Sequence, residues 1–302
     1  METPTAAIDL GTNTARLLIG YREPAGIKPL LIKRWITRLG GGFSKELGIS
    51  AEAKIRTVAA LKDFAMGIKK YGVTRVRAVA TSAVRDAANG KALCDDIFKE
   101  TGIRLEILDC REEGLLTLRG VLAGIDDPKG DFLVFDVGGG STEYTLTRNR
   151  EPIFTESLPL GVVRLTEGKK DQDAMEDKVL RELANLRAKL VHDDFLKFLN
   201  RVSLVGTAGT ATTLAAISLK LRTYDYRLVN NYTLSLDEIR QIYATLLPMA
   251  PAERLNVTGL EKGREDLIIA GILITLKTME LFGFQKLKVS DFGLLEGLFL
   301  ET

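Results

Sequence analysis

Histidine occurs once in the 302 residues, and cysteine twice. A single His192 excludes zinc centres built on several imidazoles or thiolates, and with them the His–Asp metal clusters of many phosphohydrolases. Cys94 and Cys110 cannot build a disulfide framework, so a reduced, cytoplasmic setting is expected. Long apolar runs are also missing. The longest, Leu267 to Leu276, spans ten residues before Lys277, too short to cross a bilayer and suited to a buried helix. The N-terminal METPTAAIDLG has no basic stretch followed by an apolar core, so no signal peptide is expected. Charge of one sign is lacking too. Lys and Arg number 42 against 40 Asp and Glu, a net +2. Such a balance gives no global field for nucleic acid or membrane, and any polyanion site has to be local.

What is present is globular: hydrophobic residues are 45% and charged residues 27% of the chain, which excludes bulk disorder. The length suits two domains or one large one. One long-range repeat stands out. AAIDLGTNTARLLI begins at Ala6 and FLVFDVGGGSTEYTLT at Phe132, and in both an apolar β-type run leads to Asp, one apolar residue, Gly and a small polar stretch. Asp9 matches Asp136, Gly11 matches Gly138 and Thr14 matches Ser141. Each copy reads as a β-hairpin with a tight turn, and their half-chain separation suggests a duplicated domain rather than a solenoid.

Between and after the copies the pattern is mixed α/β. Ala51 to Tyr71 has helical periodicity, with Ser50 as N-cap and Gly72 as stop. Further helices are expected over Leu93 to Glu100, Glu112 to Ala123, Ala174 to Leu190, Asp237 to Leu247, Arg264 to Phe282 and Leu294 to Leu300. Strands are expected over Arg75 to Ala80, Leu105 to Leu108 and Val202 to Val205. The turn-rich GIDDPKGD, residues 124–131, is the expected domain boundary.

The chemistry sits at the turns. Asp9, Gly11, Thr12, Asn13, Thr14 and Arg16 form a small-residue hairpin turn whose backbone N–H groups have room to meet a phosphate, though the same residues also serve a plain hairpin. Gly138, Gly139 and Gly140, followed by Ser141, Thr142 and Glu143, are harder to explain structurally, since three glycines cost backbone entropy. Close approach to a ligand is the natural reason. Asp136 and Glu143 bracket that turn and would repel a phosphate unless a cation intervenes, which implies magnesium or another divalent ion. Gly206, Thr207 and Gly209 lie where an apolar strand turns into a helix, presenting N–H groups to an anion or simply making a tight turn. Arg85, in ATSAVRDA, suits phosphate oxygens and equally a surface ion pair with Asp86 or a neighbour. Glu112 and Glu113 start a helix about 100° apart, so at most one can face a given site.

Taken together, these segments resemble the exopolyphosphatase / guanosine pentaphosphate phosphohydrolase family in its short, two-domain form. AAIDLGTNTARLLI, ATSAVRDAANG, FDVGGGSTE, LPLGVVRLTE, VGTAGTATTLAAI, GREDLIIAG and VSDFGLLEGLF match family segments in the family's order and cover essentially the whole chain. The resemblance implies an α/β fold of two duplicated actin-like domains, as in the sugar-kinase, heat-shock-chaperone and actin superfold, with an interdomain cleft. Domain I is then 1–124, with the C-terminal helix of about 292–302 a candidate to pack back on it, and domain II is 125–291. The family's catalytic S-G-x-E-E-A segment falls on Asp109 to Gly114, so the resemblance places the general base at Glu113, with Glu112 as fallback. It makes Glu143 the second catalytic glutamate, Asp136 the metal-binding aspartate and Arg85 a phosphate ligand.

The implied activity is release of orthophosphate from the end of inorganic polyphosphate. The alternatives are conversion of guanosine pentaphosphate to tetraphosphate and a non-catalytic nucleotide-binding regulator. A kinase of the same superfold lacks an identifiable acceptor feature. Dimers are common in the family, so a homodimer is among the implied assemblies. Local positive charge for the polyanion is expected from Lys33, Arg34 and Arg38 and from Lys169 and Lys170. His192, in a charged helix end, is expected at the surface.

Overall fold

The computed structural model describes residues 3–24, 26–43, 48–127, 130–169 and 171–302. Pro128 and Lys129 of the expected boundary, and Lys170 of the expected basic patch, lie outside the described residues. The chain divides into two compact units, Met1–Ala123 with Gly293–Thr302, and Gly124–Phe292.

The first unit carries a five-stranded sheet. Strands β1 (Thr5–Leu10), β2 (Thr14–Glu23) and β3 (Gly26–Ile36) form an antiparallel meander, and β4 (Arg75–Ala80) and β5 (Leu105–Ile107) continue it parallel to β1, in the order β3-β2-β1-β4-β5. Helices α1 (Ala51–Lys70), α2 (Ser82–Asp86), α3 (Gly90–Thr101) and α4 (Cys110–Gly124) connect them. Both faces are covered at β1 and over the first half of β2, which is why residues 6–8 and 17–19 read as apolar runs rather than alternating ones, whereas β3 is largely exposed. Ile8, Leu10, Leu17 and Ile19 pack with Phe64 of α1 and Ile97 of α3. Ala7, Leu18 and Val79 pack on the other face with Leu116 of α4 and with Leu295, Leu298 and Phe299 of the C-terminal helix, Leu294–Glu301. By the two-residue period of a strand, Asp9 and Arg16 belong to this second face. α1 starts where expected: the Ser50 side chain accepts from Ala53 N–H at 3.2 Å, and Gly72 turns left-handed at φ +63° past its end.

The second unit repeats the scheme. β6 (Phe132–Val137), β7 (Thr142–Arg148) and β8 (Glu151–Leu158) form the meander, followed by α5 (Val162–Gly168), α6 (Gln172–His192), β9 (Ser203–Thr207), α7 (Ala208–Ser218) and the short α8 (Tyr226–Val229). Then come β10 (Thr233–Ser235), α9 (Leu236–Leu246), α10 (Pro251–Arg254), α11 (Ile268–Phe282) and β11 (Lys286–Val289). The sheet order is β10-β11-β9-β6-β7-β8, with β9 parallel to β6 and to β11. Its core joins Phe135, Tyr144 and Leu146 of the sheet to Leu183 and Leu186 of α6, Leu214 of α7 and Ile272 to Leu276 of α11. The expected helix from Arg264 is shorter than its pattern: α11 begins at Ile268, because residues 261–267 close consecutive turns, Arg264 N–H to Glu261 C=O at 3.1 Å and Leu267 N–H to Arg264 C=O at 3.0 Å. His192 is 88% exposed at its side chain, beside Asp193. Among the described residues no helix is long and apolar enough to cross a membrane.

Candidate functional site

The two hairpin turns are built alike. Gly11 N–H donates to Thr14 C=O at 2.9 Å, and Gly138 N–H to Ser141 C=O at 3.0 Å. In each turn the next carbonyls are tied to a later segment. Thr12 C=O accepts from Gly40 N–H at 2.8 Å, and Asn13 C=O from the N–H groups of Thr37 and Arg38. Gly138 C=O accepts from Val162 N–H at 3.0 Å, and Gly139 C=O from Val163 N–H at 2.9 Å. In a trans peptide C=O and the following N–H point in opposite directions. Tying those carbonyls therefore turns the N–H groups of Asn13 and Thr14, and of Gly139 and Gly140, away from the tying segment. This is a backbone cradle of the kind that accommodates anions. The glycines are required sterically: a Cβ at Gly161, the residue before α5, would overlap Gly139 and Gly140, and one at Gly40 would overlap the Thr12 methyl. Asn13 Oδ1 is buried without a hydrogen-bond partner, an acceptor left unused by the turn itself.

The aspartates heading the turns meet different partners. Asp9 lies opposite Arg16 in the β1–β2 register, and its Oδ2 accepts from Arg16 Nε at 3.0 Å and Nη2 at 2.8 Å. Asp136 lies opposite Glu143 in the β6–β7 register. Glu143 is 3% exposed, and its Oε1 accepts from Ser157 Oγ on β8 at 2.8 Å. Thr207 lies on the other side of Asp136, across β6–β9.

In the first unit four segments converge at the carboxyl ends of the parallel strands, the usual ligand end of such sheets. Leu10 C=O accepts from Thr81 N–H at 3.2 Å, and Ala80 C=O from Leu108 N–H at 3.0 Å. Thr12 Oγ1 shares a 2.9 Å hydrogen bond with Ser82 Oγ at the start of α2. One turn on, Arg85 Nη1 donates to Glu113 Oε2 at 2.8 Å and to Leu108 C=O at 3.0 Å. Arg85 thus serves a glutamate on α4 more closely than Asp86, which is 3.8 Å away. The two glutamates of α4 part company. Glu113 is 8% exposed beside Arg85, whereas Glu112 is half-buried and paired with Arg77 Nη2 at 3.1 Å. Asp109 sets that division by capping the helix: its Oδ1 accepts from Glu112 N–H at 2.8 Å and its C=O from Glu113 N–H at 3.0 Å.

In the second unit α7 starts at a strained turn. Ala208 sits at φ +63°, a left-handed conformation costly for a side-chain-bearing residue. The Thr207 side chain makes no cap and donates to Phe292 C=O at 2.9 Å, so the first N–H groups of α7 have no side-chain cap. The guanidinium of Arg264 occupies the space a Cβ at Gly209 would need, and its Nε donates to Glu261 at 3.1 Å. Arg264 is the side chain the residue-level reading did not single out; the signal was its place in GREDLIIAG. Two others named there face into the unit's own packing. Gly206 lies inside β9 against Phe135, Ala211 and Leu287, and the Thr142 hydroxyl donates to Leu160 C=O. In the expected basic patch Lys33 is held by Asp63 at 2.7 Å. Among the described residues no three His, Cys, Asp or Glu side chains form a metal cluster.

Comparison with known proteins gives a consistent picture. The model of the Ppx/GppA phosphatase family matches residues 19–302. Exopolyphosphatase 2 of Mycobacterium tuberculosis is 32% identical, over 99% of this chain and 98% of its own length. A bifunctional 3-dehydroquinate synthase/phosphatase of Fusobacterium nucleatum is also 32% identical over 98% of this chain; the chain spans 46% of that relative's length. Among solved structures, an Aquifex aeolicus Ppx/GppA family member superposes with a TM-score of 0.78 at 30% identity, covering 99% of this chain and 97% of that one. An exopolyphosphatase from Cytophaga hutchinsonii superposes at 0.88 with 27% identity, covering 97% and 96%.

Proposed function

Because the chain belongs to the Ppx/GppA phosphatase family, we propose that it is a phosphoanhydride hydrolase acting on inorganic polyphosphate and releasing terminal orthophosphate. The observation that carries this reading is the carboxylate pair Asp136 and Glu143, side by side at the foot of the Gly138–Gly140 turn. Two like charges directly opposite on neighbouring strands are unfavourable by themselves. A divalent cation held by these two carboxylates would add the positive charge that favours both them and a phosphate.

The donor set fits magnesium. Mg²⁺ commonly takes one or two carboxylates and completes its shell with water and substrate phosphate, rather than using an all-protein cage. Asp136 and Glu143 would hold it. Once bound, it would supply charge neutralisation for the phosphate oxygens.

The chain's own groups do the rest. The N–H groups of Gly139 and Gly140, the start of α7 and Arg264 bind phosphate oxygens in the second unit. Those of Asn13 and Thr14, with Arg16 and Arg85, do so in the first. Glu113 orients a water in line with the terminal bridging bond. The water oxygen bonds to the terminal phosphorus, the bridging P–O bond breaks, and Glu113 accepts the water's proton while the electron pair leaves with the shortened chain. No covalent enzyme intermediate is needed, since positioning and electrostatics carry most of such a transfer. The similarity to proteins named exopolyphosphatase supports the substrate class. Orthophosphate release from short polyphosphate with Mg²⁺ tests the reading; no release at any chain length, with a folded protein, would reject it.

A further inference from the structure

Arg254, the last residue of α10, is 8% exposed. Its partners are two backbone carbonyls: Nε donates to Leu246 C=O at 3.0 Å and Nη1 to Glu265 C=O at 2.9 Å. Burial holds its pKa below the usual arginine value, with Asp266 acting in the opposite direction. Burying a guanidinium is costly, and an apolar side chain of the same volume is often no worse for stability. A buried arginine spent on carbonyls therefore calls for a geometric reason.

That reason lies in what the carbonyls belong to. Leu246 ends α9, while Glu265 sits in the segment between α10 and α11, which has no strand or helix of its own. This segment follows α7 along its length. Near the end of α7, Gly259, at φ +95°, packs on the Ala216 carbonyl so closely that a Cβ would overlap it. At the start of α7, Arg264 fills the space over Gly209. Between these points the segment closes short turns, such as Arg264 N–H to Glu261 C=O at 3.1 Å, with Gly263 N–H donating to the Glu265 carboxylate and Arg264 Nε to that of Glu261. Arg254 grips it one residue beyond Arg264.

We propose that Arg254 is a positioning residue, fastening Glu265 C=O to the end of α9 so that the Arg264 guanidinium is held over the first turn of α7. The role rests on the reading above, in which that turn and Arg264 bind substrate phosphate. Arg254 does not itself meet substrate. It removes the freedom of the segment that carries Arg264, so that the guanidinium is in place before the polyanion arrives.

Two measurements test it on the full chain. Short-chain polyphosphate binding is followed by calorimetry in a Glu113→Gln background, which prevents turnover, and hydrogen exchange is followed at the amides of residues 259–267. Arg254→Met is expected to keep its melting temperature close to the parent's, to raise exchange across that segment and to weaken binding about tenfold, the weight of one charge-assisted hydrogen bond. Arg254→Lys, which keeps a donor, recovers part of both and carries the test should the Met variant not fold. In an Arg264→Ala background Arg254→Met costs no further affinity. Unchanged exchange, or the same loss of affinity with and without Arg264, overturns the proposal. If Arg264→Ala binds polyphosphate as the parent does while Arg254→Met still raises exchange, the fault lies in the phosphate reading of α7 and not in the positioning.

Discussion

Arg16 and Glu143 hold the same position in the two hairpins: each stands opposite the strand aspartate, Asp9 in one and Asp136 in the other. The duplicated backbone thus carries opposite electrostatics. In the first unit the aspartate is neutralised within the sheet by the guanidinium at 2.8 Å. In the second a carboxylate faces a carboxylate, the pair proposed to hold a divalent cation. Excess chelator is therefore expected to abolish phosphate release. Asp136→Ala should raise the Mg²⁺ concentration for half-maximal activity by at least the roughly tenfold typical of losses around a metal site. Full activity in chelator would sink the claim.

Glu113 and Glu112 should separate cleanly on mutation. Glu113→Gln keeps shape but cannot accept a proton, and kcat should fall about 10²–10⁴-fold with polyphosphate binding largely kept. Glu112→Gln weakens its partly exposed pairing with Arg77, worth about 0–1 kcal/mol of stability and no chemistry. Steady-state kinetics on both variants decide the matter: a dead Glu112→Gln with an active Glu113→Gln reverses the assignment.

Much of this was legible in the sequence because it is local. The Asp–x–Gly turns, the α1 cap at Ser50 and the helix start at Glu112 and Glu113 all depend on residues within a few positions of one another. What escaped depends on partners distant in the chain. Nothing near Gly209 announces that Arg264 will lie over it. Lys33 looked available for a polyanion because Asp63, its 2.7 Å partner, arrives on α1. The choice between the two glutamates was likewise open, since Arg77 and Arg85 reach them from β4 and α2. Two of the three glycines read as ligand contacts, Gly139 and Gly140, also pack against Gly161, a distant partner in the chain.

Gly161→Ala tests that duty. Its new Cβ would press on Gly139 and Gly140 backbone, which cannot rotate aside as a side chain would. A destabilisation of about 1–3 kcal/mol is expected from such overpacking. Because the strain falls on the turn proposed to bind phosphate, KM for polyphosphate should rise in the molecules that remain folded. Wild-type melting temperature and KM together would show that the turn tolerates the shift.

The two thiols should label in sequence. Cys94 is buried, and desolvation with Asp95 nearby raises its pKa, so little thiolate forms at neutral pH. Cys110, partly exposed at the start of α4, should react first with a thiol reagent, and Cys94 only on unfolding. Equal rates for both in the native protein would contradict the buried setting.

Substrate preference is the remaining prediction, and it turns on charge. The chain is near neutral, at +2, so a polyanion has to find local cations. Lys33 is engaged by Asp63; Arg34 and Arg38 in the first unit and Lys169 in the second are the other described cations of the expected set. Arg34 stands directly opposite Arg16 in the β2–β3 register, and the Asp9 carboxylate at 2.8 Å from Arg16 offsets part of the repulsion between the two guanidiniums. Polyphosphate offers an anion at every repeat, whereas guanosine pentaphosphate confines its five phosphates to two oligophosphate groups on a nucleoside. Polyphosphate, short or long, should therefore be hydrolysed better than guanosine pentaphosphate. Its KM should climb with salt, by the counterion release known for other polyanions. Parallel kinetics on the three substrates at two salt concentrations measure both expectations. A kcat/KM for guanosine pentaphosphate about tenfold above that for short polyphosphate, some 1.4 kcal/mol in the transition state, would reverse the ranking. A salt-independent KM would remove the basic patch while leaving Glu113, Asp136 and Glu143 in their roles.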